Sequence, residues 1–303
     1  MATFKATNNR DKGNTYIKAL VDAGHIQKDS FDVDFLLLDL ERHALEEVNK
    51  FIASKKPVFI YPHAAIADIL WDGMYVPLKI TRNFVPGEGQ KEVMRLYGYP
   101  NKVVVCGWPY GKVIDFIPTT GKKLLYAPIH PNSRGRKMRD EDKANNKKTM
   151  LLILENKHLF DEIRIRFGGR MKDNGLEEFR ERTDVIFENA IYHIDHSIES
   201  ISRADIVISF GTFGYLSVSQ GKPTIFYGQE TPPHNMRRTA KSYEKYMNYR
   251  RFPLDTDSCP KIPFKFIIEQ VCTENYMVED WKERFIGNDF DSQKFISTVE
   301  QFL

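Results

Sequence analysis

Short apolar runs separated by segments of helical periodicity recur along nearly the whole chain, and this alternation narrows the possible folds more than any other feature. Phe35 to Leu38, Val58 to Tyr61, Lys102 to Cys106, Lys123 to Ala127, Ala204 to Ser209 and Pro223 to Tyr227 each have the length and content of a buried strand. Between them, Arg42 to Ser54 carries Ala44, Val48, Phe51 and Ile52 on one helical face, and Ala64 to Met74 and Thr212 to Gln220 also read as helices. Strands alternating with helices imply βαβ units and parallel sheets. Glu162 to Phe167 (EIRIRF) alternates with period two, a strand with Arg164 and Arg166 on one face. The same reasoning expects a helix from Tyr16 to Ala23, a loop from Asn132 to Asn146, a helix from Lys147 to Glu155 and a helical piece at Glu177 to Arg182. It also expects a short strand at Ile191 to Ile194, a short helix at His196 to Ser202, and a mostly helical tail from Ser242.

Gly107, Pro109, Gly111, Pro118 and Gly121 crowd one stretch, the punctuation of a linker. The expected architecture is therefore α/β with two Rossmann-like lobes, residues 1–115 and 116–303, the second ending in the helical tail. Such lobes react their substrates in the cleft that faces the carboxyl ends of both sets of strands.

Composition excludes several classes. No stretch approaches the roughly 20 apolar residues of a membrane-spanning helix, and the opening MATFKATNNRDKGN has no apolar core of a secretory signal. Cys106, Cys259 and Cys272 form no CxxC pair, which points to a reducing cytoplasm rather than a disulfide framework or a thiolate zinc site. The net charge of +3 gives no strong global attraction to nucleic acid. Locally, Arg134, Arg136, Lys137, Arg139, Lys143, Lys147 and Lys148 crowd one segment, and Arg237 to Arg251 another. These are either solvated faces or the footprint of an anionic partner.

The richest segment is Ser202 to Gln229, SRADIVISFGTFGYLSVSQGKPTIFYGQ: strand, Gly-rich turn, helix, Gly-Lys-Pro, strand. Gly211 and Gly214 sit where strand becomes helix, so backbone amides from Gly211 through Thr212, Phe213 and Gly214 to Tyr215 can approach a phosphate closely, with Thr212 and Ser217 as hydroxyl donors. An ordinary βαβ crossover with turn glycines has the same pattern. The segment resembles the donor-binding stretch of GT-B glycosyltransferases, and especially of the CDP-glycerol glycerophosphotransferases. The matching residues are Ala204-Asp205, Ser209, Gly211-Thr212 and Gly221-Lys222-Pro223, with Leu124-Leu125-Tyr126-Ala127-Pro128 upstream. The resemblance covers roughly residues 120–230. It implies a GT-B fold with the nucleotide-diphosphate donor in the C-terminal lobe, and it sets Asp195 beside the nucleotide base. Ser217 stands where the family often has an acidic residue for the donor ribose, and Phe210 where the glycerophosphotransferases tend to have Asp.

Other candidates flank this segment. His63 follows a strand and opens a helix, a place where inverting GT-B enzymes carry a general base; neutral imidazole can accept a hydroxyl proton near neutral pH. Asp68 and Asp72 on the next helix could orient or replace it, or His63 could simply cap the helix. Asn14 and Thr15 resemble the acceptor-side first loop of a GT-B lobe, joined on the acceptor side by Arg134 and Arg136. His130 lies at the edge of the C-terminal lobe, and Arg164 or Arg166 suits phosphate oxygens through paired donors. His193 and His196 flank Asp195 without the spacing or third ligand of a metal site, so no metal and no cofactor are expected, with UDP the first candidate as the donor's nucleotide. The expected function is single-displacement transfer of a glycosyl group to a hydroxyl. A modified DNA base is one acceptor, as with the DNA-modifying glycosyltransferases of phages; a cell-wall polymer or glycolipid is another. The rivals are a glycerophosphotransferase, a UDP-sugar epimerase and a non-catalytic nucleotide-binding module.

Overall fold

The computed structural model describes residues 1–6, 15–39, 45–61, 80–96, 103–128, 138, 140–168, 174–190, 194–209, 212–226, 264–273, 282 and 286–303. The chain divides into two compact units, Met1–Val113 with Asp280–Leu303, and Ile114–Glu279.

In the first unit the described elements are β1 (Thr3–Ala6), α1 (Thr15–Asp22), β2 (Ile26–Gln27), β3 (Phe35–Asp39), α2 (Leu45–Ala53), β4 (Val58–Tyr61), β5 (Arg82–Val85), α3 (Glu88–Leu96) and β6 (Val103–Val105). The strands form one parallel sheet in the order β2-β1-β3-β4-β5-β6. Side chains alternate across it, as the strand period demands. Phe4, Phe35, Leu37, Phe59, Tyr61 and Phe84 face Tyr16, Ile17 and Leu20 of α1. Leu36, Leu38, Val58 and Ile60 face Val48 and Phe51 of α2. β1 and β5 escaped sequence detection because TFKA and RNFV interrupt their apolar character with polar residues. The helix expected from Ala64 to Met74 lies outside the described residues.

The end of the chain packs against this first sheet, which corrects the expectation that the tail belongs with the second lobe. Helix α8 (Ser292–Glu300) inserts fully buried Phe295 and Val299 into the α1 side of the core. The ring of Phe295 meets Phe84 at 4.6 Å and Tyr16 at 5.1 Å between centroids. Backbone bonds from Trp108 N to Asn288 O and from Asp291 N to Cys106 O, both 2.7 Å, fasten the returning segment beyond β6. Aromatic burial of this size outweighs sequence proximity in deciding where a segment docks.

The second unit holds β7 (Lys123–Ala127), α4 (Asp140–Glu155), β8 (Glu162–Gly168), β9 (Ile186–Ala190), α5 (Ile194–Ser202), β10 (Ile206–Ser209), α6 (Thr212–Ser219), β11 (Thr224–Phe226) and α7 (Phe264–Thr273). Its parallel sheet runs β11-β10-β7-β8-β9. Leu124, Tyr126, Ile163, Ile165, Ile206 and Ile208 pack under Met150 and Ile153 of α4 and Phe264, Ile267, Ile268 and Val271 of α7. The helix expected from Lys147 starts earlier, at Asp140, in place of the loop expected there; Asp140 and Asp142 fall in its first turn, where carboxylates suit the amide end of a helix. Of the strand expected at Ile191 to Ile194, residues 191–193 lie outside the described residues and Ile194 opens α5, while β9 is a strand the sequence pattern did not single out. Among the described residues, no helix is long and apolar enough to cross a membrane.

Candidate functional site

The second sheet grows in one direction from β7 through β8 to β9, then the chain returns to the other side of β7 for β10 and β11. The carboxyl ends of β7 and β10 thus flank a topological switch point, the position where open α/β sheets take ligands. Ala127 and Ser209 are paired across it. Ser209 is fully buried and ends β10, and α6 begins three residues later at Thr212. The amide end of α6 therefore lies at this edge by topology alone.

One charged side chain reaches that helix from across the sheet. Arg166, near the carboxyl end of β8, is 7% exposed. Its guanidinium lies 4.5 Å from the ring centre of Phe213, and Nη2 donates to Ser197 Oγ at 2.9 Å. Phe213 is the second residue of α6 and Ser197 the fourth of α5. The structure thus brings together Arg166, Phe213 and Ser197, the last of which was not among the candidates. Asp195 is exposed in the same first turn of α5. Gly214 and Tyr215 are buried within α6, Tyr215 at 2% exposure, so its side chain belongs to the core.

Two candidates serve other purposes. Ser217 is fully buried, and its hydroxyl accepts from Thr224 Oγ1 at 2.8 Å. Thr224 is the first residue of β11, so Ser217 lies toward the amino edge of the sheet, away from the switch point. Thr15 donates its hydroxyl to Pro109 O at 2.5 Å, joining the start of α1 to the segment after β6 rather than offering it outward. Asn14, His63, Asp68, Asp72, His130, Arg134, Arg136 and Gly211 lie outside the described residues, as does the side chain of Thr212.

Arg164, expected as an alternative phosphate ligand, is committed inward. It bonds through Nη1 to the Glu188 carboxylate, donates from Nη2 to Ser200 O at 3.3 Å, and sets Nε 3.0 Å from Glu162. Ser200 Oγ donates to the other Glu188 oxygen. These groups line a groove of about 420 Å³ with Arg166, His196 and Glu199. Arg164 pairs there with Glu188 and Glu162, and Arg203 with Glu199, so the groove as a whole does not select an anion. Sequence reasoning missed Glu188, Ser197 and Ser200; the one available signal was two arginines on the same face of a strand that a helix must cover. Among the described residues, no group of three or more His, Cys, Asp or Glu could hold a metal ion.

Much of the motif on which the family resemblance rests builds the opposite, amino edge. Asp205 Oδ2 accepts from Thr120 Oγ1 at 2.8 Å and from the N–H groups of Lys122 and Lys123 at 3.0 and 3.1 Å, setting the start of β7 against β10. Lys222 Nζ donates to Ala204 O at 2.9 Å and Ser202 O at 3.2 Å; burial lowers its pKa, and the nearby Asp205 charge opposes that shift. Tyr126 is buried and donates to Asn146, fastening α4. Of the motif's described residues, Ala127 and Pro128 at the end of β7, Ser209 and the start of α6 lie at the edge where a ligand would sit.

No protein-family model and no curated protein sequence matches the chain. Solved structures do. A protein named as a UDP-N-acetylglucosamine 2-epimerase from Listeria monocytogenes superposes with a TM-score of 0.57 at 10% identity, covering 98% of this chain and 94% of that one. The S. aureus MnaA, solved with UDP, gives 0.57 at 10% identity over 100% and 97%. The glycotransferase of kitacinnamycin gives 0.51 at 9% identity over 99% and 94%. The common property is the fold: two α/β units, each with a parallel sheet, as in GT-B proteins.

Proposed function

We propose that this GT-B chain is a nucleotide-sugar enzyme that holds the diphosphate of its donor at the first turn of α6 and transfers the sugar to a hydroxyl. The observation that carries this is the stacking of Arg166 on Phe213 at the carboxyl edge of the switch point. A cation held beside the amide end of a helix adds its field to that of the helix dipole, so an anion at that end is stabilised by both without having to touch the guanidinium. The backbone amides from Gly211 to Tyr215 are the proposed diphosphate donors, with His130 beside them and Asp195 toward the base. Such preorganised donors act where the leaving nucleoside diphosphate gathers charge.

UDP is the first candidate, because the S. aureus neighbour was solved with UDP and the Listeria neighbour is named for a UDP-sugar. His63, two residues past β4, is the proposed base toward the acceptor hydroxyl, oriented by Asp68 or Asp72. Asn14, Arg134 and Arg136 are the proposed acceptor contacts. A modified DNA base is the specific acceptor that the basic segments motivate, although Lys147 already pairs with Glu178 at 2.7 Å. DNA binding that weakens steeply with salt supports that acceptor; no binding at low salt removes it.

A second reading, epimerisation of a UDP-sugar, is favoured by the Listeria neighbour. One experiment separates the two. The chain is first screened by thermal shift against UDP, GDP, CDP, ADP and dTDP, then incubated with sugar nucleotides of the stabilising base. Slow release of free nucleoside diphosphate supports transfer, and conversion to a second UDP-sugar without release supports epimerisation. No stabilisation by any of the five rejects both.

A further inference from the structure

We propose that Arg166 is a positioning residue that ties the first turns of α5 and α6 together and thereby sets nucleotide affinity. This rests on the donor site proposed above and assigns Arg166 a different role there: it orders the site without touching the phosphates.

The geometry points this way for three reasons. First, both of its partners stand in first turns, Ser197 in α5 and Phe213 in α6, and both turns open at the carboxyl edge of the sheet. Second, the two contacts hold one rigid planar group at two points. Its central carbon lies over the Phe213 ring and Nη2 reaches Ser197, so the angle between the two helices is set as well as their separation. Third, burial argues against packing as the sole purpose. A leucine at this position would fill the same space between sheet and helices without the cost of removing a cation from water. What the guanidinium adds is direction. Two residues earlier on the same face, Arg164 makes the corresponding inward commitment to Glu188 and the Ser200 carbonyl, further along α5. The strand thus holds α5 at two heights, and the contact nearer the carboxyl edge is the one shared with α6.

The test is isothermal calorimetry with UDP, or whichever nucleoside diphosphate the screen selects, on the full chain and on Arg166→Met, Ser197→Ala, Phe213→Leu and the Arg166→Met/Phe213→Leu double variant. Circular dichroism at the same temperature checks that each is folded; Ser197→Ala and Phe213→Leu are mild enough to serve if Arg166→Met does not fold. The expected result is a Kd weakened about tenfold in Arg166→Met and Phe213→Leu, the loss of one charge-assisted bond or one cation–π contact. Ser197→Ala is expected to weaken it about threefold, and the double variant no further than either parent, because both substitutions break one link. Additive losses make Arg166 a direct phosphate ligand and overturn the positioning role. A folded Arg166→Met or Phe213→Leu whose Kd stays within about twofold of the parent's overturns it too, leaving the donor site standing. If the unmodified chain binds no nucleoside diphosphate, the donor site falls and the positioning role with it.

Discussion

Gly221 lies so close beneath Asp115 that a Cβ added to it would come within 2.1 Å of the Asp115 carbonyl oxygen. Its φ of +70° is also one that side chains disfavour. On either side, Ile114 N donates to Ser219 O at 2.7 Å and Ile117 N to Gly221 O at 2.8 Å, so backbone rather than side chain must give way. Gly221→Ala is expected to destabilise the second unit by roughly 2–4 kcal/mol, combining overpacking with left-handed strain. Urea unfolding followed by circular dichroism measures it.

The Arg164–Glu188 pair makes a second prediction. Both side chains are largely buried, at 5% and 15% exposure. Removing Glu188 leaves the buried Arg164 paired with the more exposed Glu162 and takes the acceptor from Ser200 Oγ, so Glu188→Leu is expected to cost about 3 kcal/mol. The Arg164→Met/Glu188→Leu double variant is expected to recover most of this, since apolar residues of similar size can fill the space. A double-mutant cycle in denaturant gives the coupling.

The tail supplies the third. Phe295 is fully buried among Tyr16, Phe84 and Phe290. Phe295→Ala is expected to destabilise the first unit by about 3–5 kcal/mol. Removing residues 286–303 is expected to abolish its cooperative unfolding while the second unit keeps its own. Hydrogen exchange mapped to peptides of each unit distinguishes this from global loss.

The fourth concerns thiols. Burial pushes the Cys106 thiol up to about 12 and Cys272 up to about 11, from an ordinary 9.0. Neither is expected to react with Ellman's reagent at pH 8 in the folded protein, and both react once it unfolds. The unfolded chain releases these protons from about pH 9 while the folded chain holds them, so their contribution to stability is intact below pH 9 and falls as pH rises toward 11. Denaturant midpoints between pH 7 and 10.5 check the slope; a rise in stability over this range would refute it.

The letters alone determined which segments are strands wherever burial on both faces makes a continuous apolar run, as in Leu36 to Leu38, or where alternation is strict, as in EIRIRF. They also marked the start of α6 as a candidate phosphate-binding turn, because strand, small residues and helix are adjacent in the chain. Tertiary structure alone decided what the polar residues in those segments do. Arg164 meets Glu188 and Arg166 meets Ser197 across 24 and 31 positions of sequence, separations at which no local pattern specifies a partner. The same holds for Ser217, turned toward Thr224 by its place in the helix, and for Phe295, carried back to the first sheet by an aromatic cluster assembled from distant strands. Local periodicity encodes which face of an element is covered, and only the packed fold encodes what covers it.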